Sequence, residues 1–244
     1  ALVASKLHIP IVHVEAGLRS FNRAMPEEVN RIVVDHLSSV LFCSSEEGVG
    51  HLKNEGIATG VHAVGDVMLD AYHHYSTQLP AVETNLPAED FALVTIHRPS
   101  NADSPDQLKK VIASLGTLDL PIVWPVHPRT RPTLNKLEVP PQVHLVEPFD
   151  YFSMLAALGQ CSLVVTDSGG LQKEAYWAKT PCLTMRGETE WVETLDGNWN
   201  HLCVAGDDLS DLVKMTQDPW RPLYGDGEAG KKIVSLIIGN FFSS

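Results

Sequence analysis

The chain has 244 residues, 44% hydrophobic and 20% charged, with a formal net charge of −12 at pH 7. That balance suits a globular protein able to bury one large core or two smaller ones, and it excludes disorder and collagen. The acidic surplus argues against a general polyanion binder such as a nucleic-acid protein, but not against a nucleotide-sized anion held locally by helix N-termini and a few cations.

Ala1–Leu7 reads as the end of a helix that began upstream. Short β-branched and apolar runs then recur at Ile9–Val14, Val40–Cys43, Val61–Val64, Phe91–Ile96, Ile122–Val126, Val143–Val146, Leu163–Thr166, Pro181–Met185 and Leu202–Val204. Apolar patterns at helical spacing follow these runs, so the fold class is α/β with parallel strands. Few of the runs alternate polar with apolar, as expected when helices cover both sheet faces. One helix should start at Pro26, with Glu27 and Glu28 in its first turn and Val29, Ile32, Val33, Leu37 and Val40 as its buried stripe. Another should start at Ser104-Pro105-Asp106 and bury Leu108, Val111, Ile112 and Leu115. The stretch 79–90, LPAVETNLPAED, carries three prolines and little periodicity and reads as a domain boundary. Cys43, Cys161, Cys182 and Cys203 are widely separated beside apolar runs and are expected to be reduced core residues. No apolar run approaches the ~20 residues of a membrane-spanning helix, and residues 1–17 do not resemble a signal peptide, so a cytoplasmic location away from membranes is expected.

In open parallel sheets the ligand crevice lies beyond the carboxyl ends of the strands, which directs attention to four places. In His13-Val14-Glu15-Ala16-Gly17-Leu18-Arg19, Glu15 either exchanges a proton with substrate or forms a buried salt bridge to Arg19. In Met25-Pro26-Glu27-Glu28, a carboxylate either joins Glu15 as an acid/base pair or complements the helix dipole. In Thr95-Ile96-His97-Arg98, the two basic side chains either meet a phosphate or close a capped loop. In Thr166-Asp167-Ser168-Gly169-Gly170, two glycines after a strand open a helix whose positive end suits a phosphate, with Glu174 one turn on able to accept from a ribose; a plain tight turn is the other reading. The last motif is neither GxGxxG nor GxxxxGK[ST], and no histidine falls in a recognised ligand spacing, so no metal is expected.

The stretches HVEAGLRSFNRAMPEEVNR, TIHRPSNAD, PIVWPVHPRT, VVTDSGGLQKEA and MRGETEWVET occur in this order. Together they resemble the non-hydrolysing UDP-N-acetylglucosamine 2-epimerases over nearly the whole chain, from Ala1 to about Ile237. The resemblance implies two Rossmann-like domains of glycosyltransferase-B type, the N-terminal one incomplete. Residues 1–82 would be the second half of the N-terminal domain, 83–225 the C-terminal UDP-binding domain, and 226–244 a helix returning to the N-terminal domain. It also implies a UDP-sugar substrate, a homodimer, no cofactor, and anti elimination of UDP followed by its re-addition with the opposite configuration at C2. Glu15 and Glu27 fall on the family's acid/base carboxylates, with Glu28 the less favoured partner. His97 falls on its phosphate-contacting histidine, Arg19 and Arg98 on basic positions of the substrate motifs, Ser168, Gly169 and Gly170 on the phosphate turn, and Glu174 on the ribose ligand. Some members bind a second UDP-N-acetylglucosamine as an activator near the positions of Arg98 and His127.

Departures are also visible. Better-known members carry HRRE where this chain has His97-Arg98-Pro99-Ser100, and an arginine where it has Trp191, which implies differently composed phosphate contacts. The family's basic N-terminal residues and a GDT aspartate would precede Ala1, so residues 1–244 alone are expected to bind UDP with little or no turnover. The alternatives to an N-acetylglucosamine 2-epimerase are a glycosyltransferase of the same fold, a 2-epimerase for a UDP-diacetamido uronic acid, a hydrolysing epimerase, and a UDP-binding module without activity.

Overall fold

The computed structural model describes residues 1–79, 86–87 and 89–241. The boundary expected between 82 and 83, most of the proline-containing stretch, and the final residues of the 226–244 segment lie outside them. The chain divides into two compact units, one formed by Ala1–His74 with the chain from Arg221 onward, the other by Tyr75–Trp220.

In the first unit, β1 (Val12–Val14), β2 (Val40–Cys43) and β3 (Val61–Ala63) form a parallel sheet in that order, with Val12 opposite Val40 and Leu41 opposite Val61. All four β2 residues are buried because both faces are covered. Leu41 and Cys43 pack with Ala16 and with Leu52 of α3 (Glu46–Asn54), while Val40 and Phe42 pack with Val64 and with Ile233 of α10 (Ala229–Phe241). Ser45 caps α3 by accepting the Gly48 N–H at 3.4 Å. Asp70, on α4 (Val67–Ser76), receives the first N–H groups of α10, from Ala229 at 2.9 Å and Gly230 at 2.6 Å. The short α1 (Leu2–Lys6) precedes β1.

The helix expected at Pro26 is α2 (Pro26–Leu37), but its stripe departs from the pattern read in the sequence. Val29 is 44% exposed, whereas the fully buried positions are Glu28 and Asp35. These two acids are seven residues apart, two helical turns, and therefore share one face. The fully buried positions of α2 are thus carboxylates that bind the preceding loop, while Ile32, Val33 and Leu37 of the expected stripe are half-buried and Val40 belongs to β2.

In the second unit, β4 (Ala92–Thr95), β5 (Ile122–Pro125), β6 (Val143–Val146), β7 (Leu163–Thr166), β8 (Cys182–Met185) and β9 (Asn200–Cys203) form a parallel sheet in the order β6-β5-β4-β7-β8-β9. The helical segments are α5 (Pro99–Ala102), α6 (Pro105–Leu115), α7 (Arg131–Leu134), α8 (Tyr151–Leu158) and α9 (Gly169–Trp177). Ser104 caps α6, and Leu108, Val111, Ile112 and Leu115 are buried as the periodicity required, packing with Trp124 and Val94. β9 begins two residues before the apolar run that marked it, since Asn200 is buried with its side chain bonded to Thr184 at 2.8 Å and Thr194 at 3.1 Å. All four cysteines are free and buried, and burial pushes each thiol up to about 12. Among the described residues no helix is long and apolar enough to cross a membrane.

Candidate functional site

In the second unit the strand order reverses between β4 and β7, the place where parallel sheets open a ligand crevice at their carboxyl ends. The loops leaving these strands carry the His97-Arg98 and Ser168-Gly169-Gly170 sequences, and Asp167 joins them. The Asp167 side chain is fully buried and accepts the His97 N–H at 3.1 Å, the Arg98 N–H at 2.9 Å and the Asn101 amide at 3.1 Å. The Arg98 Nε donates to the Asp167 carbonyl at 2.9 Å, and Asn101 also bonds the Met185 carbonyl at 3.1 Å. Below this junction the Thr95 and Thr166 hydroxyls meet at 2.6 Å.

The His97 Nδ1 lies 3.4 Å from Asp167, and its ring packs against His127, which follows β5, with centroids 5.3 Å apart. Burial holds the His97 pKa below the ordinary value; the Asp167 charge opposes this, and His127, Arg98 and Arg129 reinforce it. Arg129 is itself bound bidentately by Asp103, at 2.8 and 2.9 Å.

Ser168 caps α9, its hydroxyl accepting the Leu171 N–H at 3.4 Å. Gly169 and Gly170 are the first two helical residues, so their N–H groups have no acceptor within the helix and point out of its positive end. Gly169 packs closely: a Cβ there would stand 3.1 Å from the Trp191 Nε1, so that the indole would have to give by a few tenths of an ångström, and 3.9 Å from the Arg186 Nη1. The MRGETEWVET segment is bound to α9 through Gln172, whose amide donates to the Thr194 hydroxyl at 2.8 Å and accepts from the Thr189 hydroxyl at 2.9 Å. Arg186 and Glu190, both buried, pair at 3.0 Å. Glu174 is 6% exposed; burial raises its pKa, against a hydrogen bond from Tyr151 and the charge of Lys173.

In the first unit Glu15 follows β1, half-buried, with a left-handed backbone (φ 64°) that an L-residue adopts only under constraint. Asp35 supplies much of that constraint. It accepts the Gly17 N–H at 3.2 Å and pairs with the His13 Nδ1 at 2.6 Å and with Arg19 at 2.7 Å. Gly17 is itself left-handed (φ 79°), and a Cβ on it would fall 2.2 Å from the Gly48 carbonyl oxygen. Burial would raise the Asp35 pKa, but the hydrogen bonds and charges of His13 and Arg19 hold it below the usual carboxylate range.

The structure gives Arg19 a different occupation from the ligand contact expected of it. Its guanidinium is buried between Asp35 and Glu55, both of Glu55's bonds being 2.7 Å, with a further bond to the Leu18 carbonyl at 2.8 Å. The two adjacent carboxylates of α2 also separate. Glu28 is 1% exposed and accepts the Ser20 N–H at 2.8 Å, the Ser20 hydroxyl at 3.0 Å and the Phe21 N–H at 3.0 Å, while Glu27 is exposed in the same first turn.

Within the second unit, then, His97, Arg98 and the Ser168–Gly170 turn are gathered around one carboxylate, with Glu174 on the helix that the turn opens. Within the first, Glu15 and Glu27 stand at the two ends of a loop anchored by Asp35 and Glu28. Sequence reasoning passed over Asp35, Asp167, Asn101, Lys173 and Arg186. The available signals were the seven-residue spacing of Glu28 and Asp35 and the position of Asp167 at a strand's carboxyl end, directly before the two glycines.

A family profile described as UDP-N-acetylglucosamine 2-epimerase matches residues 1–238. A Pseudomonas aeruginosa protein described as UDP-2,3-diacetamido-2,3-dideoxy-D-glucuronate 2-epimerase is 41% identical over 97% of this chain and 70% of its own length. The crystal structure of the Methanocaldococcus jannaschii UDP-GlcNAc 2-epimerase in complex with UDP-GlcNAc and UDP is 34% identical and superposes with a TM-score of 0.88, over 98% of this chain and 72% of that one. The calicheamicin glycosyltransferase CalG4 shares the fold alone, at 13% identity, with a TM-score of 0.57 over 99% of this chain and 71% of its own.

Proposed function

The chain belongs to the UDP-N-acetylglucosamine 2-epimerase family, and on that premise we propose that it interconverts UDP-N-acetylglucosamine and UDP-N-acetylmannosamine without hydrolysing them. The observation that carries the assignment to these residues is the Asp167 junction, which sets His97 and Arg98 beside the open helix N-terminus at Gly169-Gly170. Helix N–H groups and a histidine at that place suit a diphosphate, the group that must leave and return.

In this reading UDP departs with its bonding electrons as the C1–O bond breaks, while a carboxylate removes the C2 proton from the opposite face. The product is a 2-acetamidoglucal and UDP. Re-addition of UDP to C1, with a proton delivered to the other face of C2, gives the epimer, so no electrons enter or leave overall. Glu15 and Glu27 serve as the two proton-handling groups. The constrained backbone at Glu15 supports such a role, because strain of this kind persists where the surroundings fix a side chain for use. Glu27 keeps an exposed carboxylate while Glu28 is consumed in the loop. His97 and the Ser168–Gly170 turn carry the diphosphate charge, and Glu174 the ribose.

A second substrate is favoured by one finding, the 41% identity to the P. aeruginosa UDP-2,3-diacetamido-2,3-dideoxy-D-glucuronate 2-epimerase. The same elimination operates on that sugar, since the chemistry is confined to C1 and C2. By family resemblance the protein is cytoplasmic and its working form a homodimer, a state that sedimentation at micromolar concentration tests.

The decisive experiment is proton NMR of each nucleotide sugar with the protein in deuterated buffer. Exchange of the C2 proton with appearance of the manno isomer establishes the reaction and ranks the two substrates. Broadened uridine signals with C2 protons retained would limit residues 1–244 to nucleotide binding. Uridine signals unchanged by the protein would overturn the reading.

A further inference from the structure

The phosphate turn has a buried cation behind it that neither the family resemblance nor the motif reading uses. Lys173 lies on α9 four residues after Gly169, hence on the same helix face, and long helical side chains lean back toward the N-terminus. It is 1% exposed, and its ammonium stands 3.8 Å from the centroid of the Trp191 ring and 5.8 Å from that of Trp177. The same Trp191 indole reaches the turn, its Nε1 being 3.1 Å from where a Gly169 Cβ would sit. One ring therefore touches both the first glycine of the turn and the ammonium below it.

The main chain of Trp191 is held firmly. Its N–H donates to the Thr189 hydroxyl at 3.1 Å, and its carbonyl accepts the Thr194 hydroxyl at 2.7 Å and the Gln172 amide at 3.4 Å. An ammonium against the face of an indole is attracted by the ring quadrupole, which replaces part of its hydration. A charge in such a place acts on a neighbouring anion with little solvent screening.

We propose that Lys173 is an electrostatic determinant of diphosphate binding, acting from beneath the Gly169-Gly170 turn, and that Trp191 is the residue that positions it. The proposal rests on the reading of this turn as the diphosphate site. It distinguishes binding of the phosphates from binding of the nucleoside, because the charge lies at the turn.

The test compares the affinities of uridine and UDP for the unaltered protein and for Lys173→Met, Lys173→Arg, Trp191→Phe and Trp191→Leu. Lys173→Met should weaken UDP by roughly ten- to a hundredfold, the range expected for losing an interaction with a charged group, and leave uridine unchanged. Lys173→Arg, which keeps the charge and stacks on indoles, and Trp191→Phe, which keeps a ring, should retain most of the UDP preference. Trp191→Leu should follow Lys173→Met. A parallel loss of uridine and UDP affinity in Lys173→Met would reduce Lys173 to a packing residue and overturn the proposal, as would an unchanged preference for UDP. An unaltered protein that does not prefer UDP to uridine would instead refute the diphosphate site itself.

Discussion

Replacement of Asp167 by asparagine tests whether one carboxylate organises the second unit's site. The oxygens of Asp167 accept two backbone N–H groups and the Asn101 amide from a fully buried position. Asparagine keeps one acceptor but turns an NH₂ toward donors, so at least one charge-assisted bond is lost and one N–H is left facing another. Taking about 1.5–3 kcal/mol for a hydrogen bond to a charged group, the variant should lose about 3 kcal/mol of stability. The same change acts on His97. Its pKa is already low, because burial and the charges of His127, Arg98 and Arg129 outweigh the opposing charge of Asp167. Removing that charge must move the His97 midpoint further down. The sign for stability follows from linkage: a histidine whose folded pKa lies below its unfolded value stabilises fully above about pH 6.5, and that stability is lost as the pH falls toward the folded midpoint. The difference between the unaltered protein and Asp167→Asn should therefore widen from pH 8 to pH 5. Urea denaturation at the two pH values and NMR titration of the His97 ring are the assays. A His97 midpoint that rises or stays fixed in Asp167→Asn, or a stability loss that shrinks toward pH 5, would refute the reasoning.

Other predictions concern the first unit. Gly17→Ala would place a methyl 2.2 Å from the Gly48 carbonyl oxygen at a φ of 79°, so a loss above roughly 3 kcal/mol is expected in urea unfolding; a loss under about 1 kcal/mol would show that the turn relaxes freely. Glu28→Gln should cost about 2 kcal/mol through its three loop bonds, whereas Glu27→Gln should change stability by less than about 0.5 kcal/mol and still suppress C2 exchange; the reverse pattern would exchange their roles. Arg19→Lys cannot span Asp35 and Glu55 with a planar fork, and should remove about 2 kcal/mol at pH 7. Because the Asp35 pKa is depressed, its contribution is present above about pH 4 and lost as the pH falls through the folded midpoint, so that variant's deficit should shrink in acid.

What could be read in the sequence, and what could not, divides along a physical line. Apolar runs announce strands because a parallel sheet covered on both faces needs nothing else, and all nine of those named above occur in the fold. The stripe of α6 was legible for the same reason. The stripe of α2 was not, because a hydrophobic pattern cannot reveal that Glu28 and Asp35 point inward and Val29 outward. Their burial becomes favourable only once Ser20, Phe21, Gly17, His13 and Arg19 come back to meet them, and those contacts exist only in the folded chain.

Asp167 follows the same rule in the second unit, since its value lies in the N–H groups of a loop about seventy residues upstream, a pairing that strand order creates. The two units thus use one device. Each has a buried carboxylate beside the carboxyl end of a strand that ties down the following loop, Asp35 through the Gly17 N–H and the His13 and Arg19 side chains near Glu15, and Asp167 through the N–H groups of His97 and Arg98. The motif residues announce the chemistry, and the acids behind them make its geometry reproducible. This explains why substitutions at Asp35 and Asp167 should impair function without either residue needing to meet the substrate.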